Sequence, residues 1–450
     1  MDVMLPPEII IKIFQNLSHR NLKNVVLVSR NWKVMAEDPS LWTWCQVTIQ
    51  SRIDLKKLNI RRLQWIENIN LADIQPHFLD VLLRRVESLP KMKRISGLSF
   101  KNLECVEPDL LGKIVNKLEC AEWCFLTNIT SEQAEAAFRY MAERTKLLEL
   151  KILNIDQKLM NINPDVMASA LNKLELLWMS DSVTANQMSS IFNRMSIETK
   201  LNSLCLRDVN MTTTEPIVLA KALNRLTTFL FQRPTNKPST DLTAHQAQAI
   251  FTIMSKGSQL KMLEISTEQL PSINPSCLAK AINQLEDVSL LNSEITSEQA
   301  LAIFAEMSEK TQLKSLLNLR HNLSMIHPRV FGKGLSKLEE VSIRNCQLTK
   351  EQVIALFLAI STGGQLLNLD ISFNNLSSVE PYFLARGVNM LEQVTLTRTS
   401  LTADQINAIF RVFLEEETKL EILSVESIDI QKADPALVIQ AKKKFAEGNF

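Results

Sequence analysis

Glycine is nearly missing from this sequence, with nine residues in 450. Proteins that cradle phosphates in glycine-rich loops, or that turn tightly and often, use more of it. No sign of charge dominates either: 50 Lys and Arg stand against 49 Asp and Glu, a net charge of +1. That balance argues against bulk attraction to nucleic acid or to a membrane surface. No run of about 18 apolar residues occurs, so no membrane span is expected. Met1 to Ile11 lack the basic stretch, apolar stretch and small-residue cleavage site of a secretory signal. The seven cysteines are scattered and odd in number. They read as reduced, mostly buried thiols of a cytosolic or nuclear protein. The sequons at Asn128 and Asn375 are then expected to be unused.

Catalytic and metal chemistry is also sparse. His19, His77, His245, His321 and His327 have no metal-type spacing. Cys120 and Cys124 are not followed by a second pair and fall on a predicted strand, so they read as packing or surface residues. Gly332-Lys333-Gly334 matches Ala279-Lys280-Ala281 and Ala220-Lys221-Ala222 in register, which marks close helix packing rather than a phosphate loop. No Gly-x-Ser-x-Gly, His-Glu-x-x-His or Walker-type run exists. No catalytic residue, metal or cofactor is expected, and the chain is not read as an enzyme.

What is present is a repeat. Hydrophobic residues make up 46% and charged residues 22%, as expected of a soluble, well-packed chain. Thr-x-x-Gln, with Phe five residues after the Gln, begins at Thr130, Thr184, Thr243, Thr296, Thr349 and Thr402. The later copies are about 53 residues apart. Between them lie segments built around Pro108, Pro164, Pro216, Pro275, Pro328 and Pro381, with a shortened copy at Pro435. Thr-x-x-Gln is a capping box that starts a helix. Apolar residues follow it at helical spacing, as in Ala300, Ile303, Phe304 and Met307. The other segments open a helix with Pro at its first position, where a missing N–H costs nothing. Asn163, Asn274 and Asp434 stand before three of those prolines as N-caps.

Each helix is followed by strand text of the form Leu-x-x-Leu-x-Leu. The clearest copy is Leu366-x-x-Leu369-x-Ile371-x-x-Asn374-x-Leu376, and Cys346 fills the Asn slot of another. This is the leucine-rich-repeat signature. The alternation of two unit types resembles the ribonuclease-inhibitor class over residues 95–441. The resemblance implies an α/β horseshoe with parallel strands on its concave face and helices on its convex face. A purely helical solenoid would explain the helices but not the strand text. Residues 48–94 carry fragments of the pattern and are expected to be irregular capping units, and residues 442–450 a tail.

Ahead of the repeats stand Leu5-Pro6-Pro7, then Ile9, Ile13, Phe14 and Leu17, then Leu22, Val25 and Val28-Ser-x-x-Trp32, then Asp38-Pro-Ser-Leu41-Trp42. Three short helices of this size bury too little surface to stand alone. Residues 1–47 resemble an F-box. The resemblance implies docking onto a Skp-family adaptor and, through it, a cullin–RING scaffold. Carried over position by position, Leu5, Pro6, Ile9, Ile13, Leu17 and Leu22 would face the adaptor, together with parts of the Val28–Trp32 step. Trp32, Leu41 and Trp42 would also knit the segment to itself and to the first repeat. A plain helical cap on the solenoid is the simpler alternative.

In leucine-rich repeats the x positions of the strands line the inner face. Here they hold more acidic than basic residues, among them Glu264, Glu286, Asp287, Glu339, Glu340, Asp370 and Glu392. A basic segment of a target protein is expected there, although the same charges would equally serve to solvate a long surface. Trp178 and Phe373 occupy exposed slots and are candidate anchors. The insertion at Gln232–Asp241 is a candidate contact loop. The implied function is substrate recognition for an SCF-type ubiquitin ligase. The competing reading is a non-degradative binding scaffold or inhibitor.

Overall fold

The six Thr-x-x-Gln segments each start a helix in the way the capping-box chemistry requires. In the computed structural model, every one of these threonines accepts from the backbone N–H of the Gln three residues on, and each Gln side chain returns the bond to the Thr N–H. The structure describes residues 5–17, 19–43, 46–49, 65, 67–71, 76–88, 94–96, 106–118, 120–124, 129–153, 159–180, 183–233, 242–291, 293–319 and 321–448. Most of the 232–241 insertion lies outside the described residues. The chain divides into two units, Met1–Thr214 and Glu215–Phe450.

The first unit opens with four short helices, α1 (Pro7–Gln15), α2 (His19–Val25), α3 (Arg30–Ala36) and α4 (Pro39–Thr43). Among the described residues seven strands follow: β1 (Gln46–Ile49), β2 (Asn68–Leu71), β3 (Arg94–Ser96), β4 (Cys120–Cys124), β5 (Glu149–Leu153), β6 (Leu176–Met179) and β7 (Ser203–Arg207). Each pairs in parallel with the next. Parallel neighbours need crossovers, and the described crossovers contain the helices Pro76–Glu87, Pro108–Lys117, Ser131–Glu143, Pro164–Leu171 and Ala185–Ile197. The segment 48–94, expected as irregular caps, is spanned by three strands of the ladder, β1 to β3.

The second unit repeats the plan. Its strands are β8 (Thr228–Gln232), β9 (Met262–Ile265), β10 (Asp287–Ser289), β11 (Ser315–Leu317), β12 (Glu340–Ser342), β13 (Asn368–Asp370), β14 (Gln393–Thr395) and β15 (Ile422–Ser424), all parallel to their neighbours. Proline-started helices (Pro216–Leu223, Pro275–Asn283, Pro328–Leu335, Pro381–Asn389) alternate with Thr-capped ones (Ala244–Met254, Ser297–Glu309, Lys350–Ser361, Ala403–Glu415). Of the segment 442–450 expected as a C-terminal tail, the described residues 442–448 continue the last helix, Pro435–Gly448.

Between strands and helices runs one apolar layer per unit. The middle strand residues Leu150, Leu177, Leu204, Leu263, Val288, Leu316, Val341, Leu369 and Val394 are buried, as are Phe138, Phe192, Phe251, Phe304, Phe357 and Phe410, the phenylalanines of the Thr-x-x-Gln segments. Each such side chain contributes about 1.5–3 kcal/mol by leaving water. Small residues let the helices approach. A Cβ on Gly332 would lie 2.5 Å from the Ala355 carbonyl oxygen, and one on Gly387 would strike the Phe357 ring at 2.3 Å. The Gly332-Lys-Gly334 run therefore packs helices, as its register predicts.

The turns after the strands carry a side-chain ladder. Asn374 donates to the carbonyls of Ile343 and Ile371 at 2.9 Å and accepts from the Cys346 N–H at 2.9 Å. Cys346, in the equivalent slot, turns its thiol to the Leu319 carbonyl at 3.2 Å. Asn163 and Asn274 cap their helices from the side chain, each accepting from two backbone N–H groups, and Asp434 accepts from the Ala436 N–H at 2.8 Å.

Candidate functional site

The N-terminal helices form a small core with an apolar exterior. Pro7 opens α1 at its first turn, and Ser29 caps α3 by accepting from the Trp32 N–H at 3.1 Å. Phe14, Leu22, Val25, Ala36, Leu41 and Trp42 are buried together, with Ile10, Leu17, Met35 and Trp65 packed against them. Trp42 donates its indole N–H to the Ala36 carbonyl at 2.9 Å, so its one polar atom is satisfied inside. The Asp38 carboxylate accepts from both the N–H and the hydroxyl of Ser40, which fixes the turn into α4.

Outside this core several apolar side chains are exposed. Leu5 is 48% exposed, Ile9 42% and Ile13 49%. Leu27, Val28 and Val34 are more exposed still, and Trp32 is partly so. The Trp32 ring meets Phe14 edge-on at 5.3 Å. Leu5, Pro6, Ile13, Phe14, Trp32 and Val34 line a groove of about 840 Å³.

The residues expected to face a partner therefore divide. Leu5, Pro6, Ile9, Ile13, Val28 and Trp32 are on the surface. Leu22 is fully buried and is corrected to a core residue, because α2 places it in one cluster with Phe14, Ala36, Leu41 and Trp42; Leu17 leans on the same core. Leu27 and Val34 were missed. For Leu27 the signal was the run Val25-Val-Leu-Val28, too apolar for one helical stripe to bury.

On the strand face of the second unit, several expected carboxylates are already occupied. Glu286 sits 2.9 Å from both Lys261 and Lys314, and these two ammonium groups pull its carboxyl down to about 2. Glu264 accepts from the Gln232 side chain at 2.6 Å, and Asp370 lies 3.5 Å from Arg344. Glu339, Glu340 and Glu392 have no cationic partner within ion-pair distance among the described residues. Asp287, partly buried beside Glu286 and Glu339, has its carboxyl raised above the usual range, first by burial and then by these neighbours. Phe373 is 40% exposed. In the first unit, Trp178 lies on β6 with the Lys151 ammonium 6.0 Å from its ring.

Among the described residues no cluster of His, Cys, Asp and Glu could hold a metal ion, and no helix is long and apolar enough to cross a membrane. Cys120 and Cys124 bound one strand, β4.

Parallel strands joined through helices, each with a buried leucine-type ladder, define a leucine-rich-repeat protein that carries a helical module at its N-terminus. Residues 3–45 match the F-box-like family, so that module is an F-box-like domain. No curated protein matches the sequence. Among solved structures, the chain is similar to one in the complex of Rad7 and Elc1 from yeast, at 15% identity and a TM-score of 0.42, over 80% of this chain and 85% of that one. It is also similar to one in the TLR13–ssRNA13 complex, at 14% identity and a TM-score of 0.43, over 85% of this chain and 48% of that one.

Proposed function

We propose that this chain is the substrate-recognition subunit of an SCF-type cullin–RING ubiquitin ligase. Its F-box-like domain docks a Skp-family adaptor, and the strand face of its repeats binds the protein to be modified. The observation that carries this reading is the exposed apolar set Leu5, Ile9, Ile13, Leu27, Val28, Trp32 and Val34 on a domain whose core is already complete without them. Exposed apolar side chains mark an interface, and Leu5, Ile13, Trp32 and Val34 among them line one groove. The chain contributes no catalysis and acts by holding its target close to the ubiquitin carrier.

On the strand face of the second unit, Glu339, Glu340 and Glu392, which have no cationic partner within ion-pair distance among the described residues, suit a basic segment of the target. On that of the first unit, Trp178 is a candidate anchor in its own right. Glu264, Glu286 and Asp370 serve that segment less well, because each already has a partner.

Co-expression with a Skp-family adaptor tests the docking half. Stable 1:1 co-purification that is lost in Leu5→Ala/Pro6→Ala is expected. A well-behaved lone protein indifferent to the adaptor would overturn the ligase reading and leave a binding scaffold.

A further inference from the structure

After β12, β13 and β14 the chain makes the same turn three times. Asn345, Phe373 and Arg398 each stand one residue before the ladder residue, and each adopts left-handed backbone, with φ of 55°, 62° and 55°. Asparagine tolerates that conformation; a bulky side chain does so at a cost in strain. Strain of this kind, held in place by its surroundings, marks positions where the side chain has a task.

Phe373 and Arg398, together with Arg344, assemble into one group. The guanidinium carbons of Arg344 and Arg398 lie 5.3 and 5.2 Å from the centre of the Phe373 ring. Both distances are within cation–π range. The group is also braced. Arg344 Nε faces Asp370 at 3.5 Å and Arg398 Nε faces Glu426 at 3.5 Å. Asp370 accepts from the N–H and hydroxyl of Ser372, and Thr397 in turn donates its hydroxyl to Ser372 at 2.9 Å. Each arginine is thus oriented through Nε. Neither arginine donates a hydrogen bond from a terminal guanidinium nitrogen to another described residue.

We infer that the Arg344–Phe373–Arg398 stack binds an acidic segment of the captured protein. Terminal guanidinium nitrogens held in a fixed orientation match an anionic oxygen pair. The exposed ring adds an apolar contact beside them. Glu339 and Glu340 stand at the start of β12 and Arg344 just past its end, roughly 13 Å further along an extended chain. The strand face is therefore polar along the strand direction, and a bound segment places acidic groups toward the strand ends and basic groups toward the strand starts. This deepens the target-binding half of the proposed function and is independent of adaptor docking.

Fluorescence anisotropy with the full chain tests it, using a labelled Glu-rich decapeptide, its phosphoserine counterpart and a Gly-Ser control. The acidic peptides are expected to bind in a salt-sensitive manner; tighter binding of the phosphorylated form supports the proposal with a phosphoryl group as the preferred anion. Arg344→Gln/Arg398→Gln should weaken binding roughly tenfold. Phe373→Gly relieves the left-handed strain, so it should keep or raise Tm while weakening the same binding several-fold. Acidic peptides that bind no better than the control, or variants that bind like the parent chain, overturn the inference. Adaptor co-purification by the same proteins separates the two readings. Peptide binding without adaptor binding leaves this inference standing and removes the ligase reading; adaptor binding without peptide binding does the reverse.

Discussion

Gln352 donates its side-chain amide to the carbonyl oxygen of Ile326 at 2.7 Å, across the joint between one repeat unit and the next. The same nitrogen reaches Leu323 at 2.7 Å, and the side-chain oxygen accepts from the Thr349 N–H at 2.9 Å. The residue is fully buried, and Gln187, Gln299 and Gln405 repeat the arrangement. Only an amide can donate and accept in this way.

Gln352→Glu should therefore destabilise the second unit by about 3–5 kcal/mol, since a carboxylate would sit against two carbonyls with no donor. Thr349→Ala, which removes only the cap, should cost about 1 kcal/mol. Urea denaturation of both variants checks the order, and equal losses would contradict the bridging role.

The division of the N-terminal helices predicts two kinds of variant. Leu22→Ala opens a cavity and should cost about 2–5 kcal/mol. Ile13→Ala, at a surface position, should change stability by less than about 0.5 kcal/mol while weakening adaptor binding. Thermal melts run beside adaptor pull-downs distinguish folding from docking.

Two glycines on successive proline-started helices should respond with opposite signs. A Cβ at Gly387 meets the Phe357 side chain within 2.6 Å, so Gly387→Ala should cost about 1–3 kcal/mol. At Gly334 the nearest atom is 3.4 Å away, and the better helix propensity of alanine should make Gly334→Ala neutral or stabilising by up to about 1 kcal/mol. A pair of Tm measurements settles the comparison.

Burial pushes the Cys346 thiol up to about 11 from an ordinary 9.0. The folded state thus holds its proton more tightly than the unfolded chain, and the resulting stability is present below pH 9 and lost as pH rises toward 11. Near pH 10 the loss should be about 1.4 kcal/mol. Cys346→Ser keeps a donor without titrating in this range, so its deficit relative to the parent chain should narrow between pH 8 and pH 10.

The repeat was readable because its start signals are local: Thr-x-x-Gln and Asn-Pro act within one turn of helix. The buried phenylalanines followed from spacing alone. What spacing could not reveal were contacts between units about 25 residues or more apart. Gln352 read as a capping residue, and its second bond to Ile326 depends on where the preceding turn lies. Leu22 read as a partner contact because its core forms only when α1, α3 and α4 bring Phe14, Ala36, Leu41 and Trp42 together around it. The occupied state of Glu286 likewise needs Lys261 and Lys314 from two other strands.

The glutamine joints have a consequence for how such a chain can change in length. Gln299 reaches the carbonyls of Leu270 and Ile273 just as Gln352 reaches those of Leu323 and Ile326. Removing residues 296–348 would bring Thr349 directly after Ile295 and offer Gln352 the pair of acceptors that Gln299 now uses. A duplication of the same block would be equally seamless. The number of rungs is thus open to splicing, and a longer or shorter protein-binding face can be produced in a single genetic event with no new joint to invent.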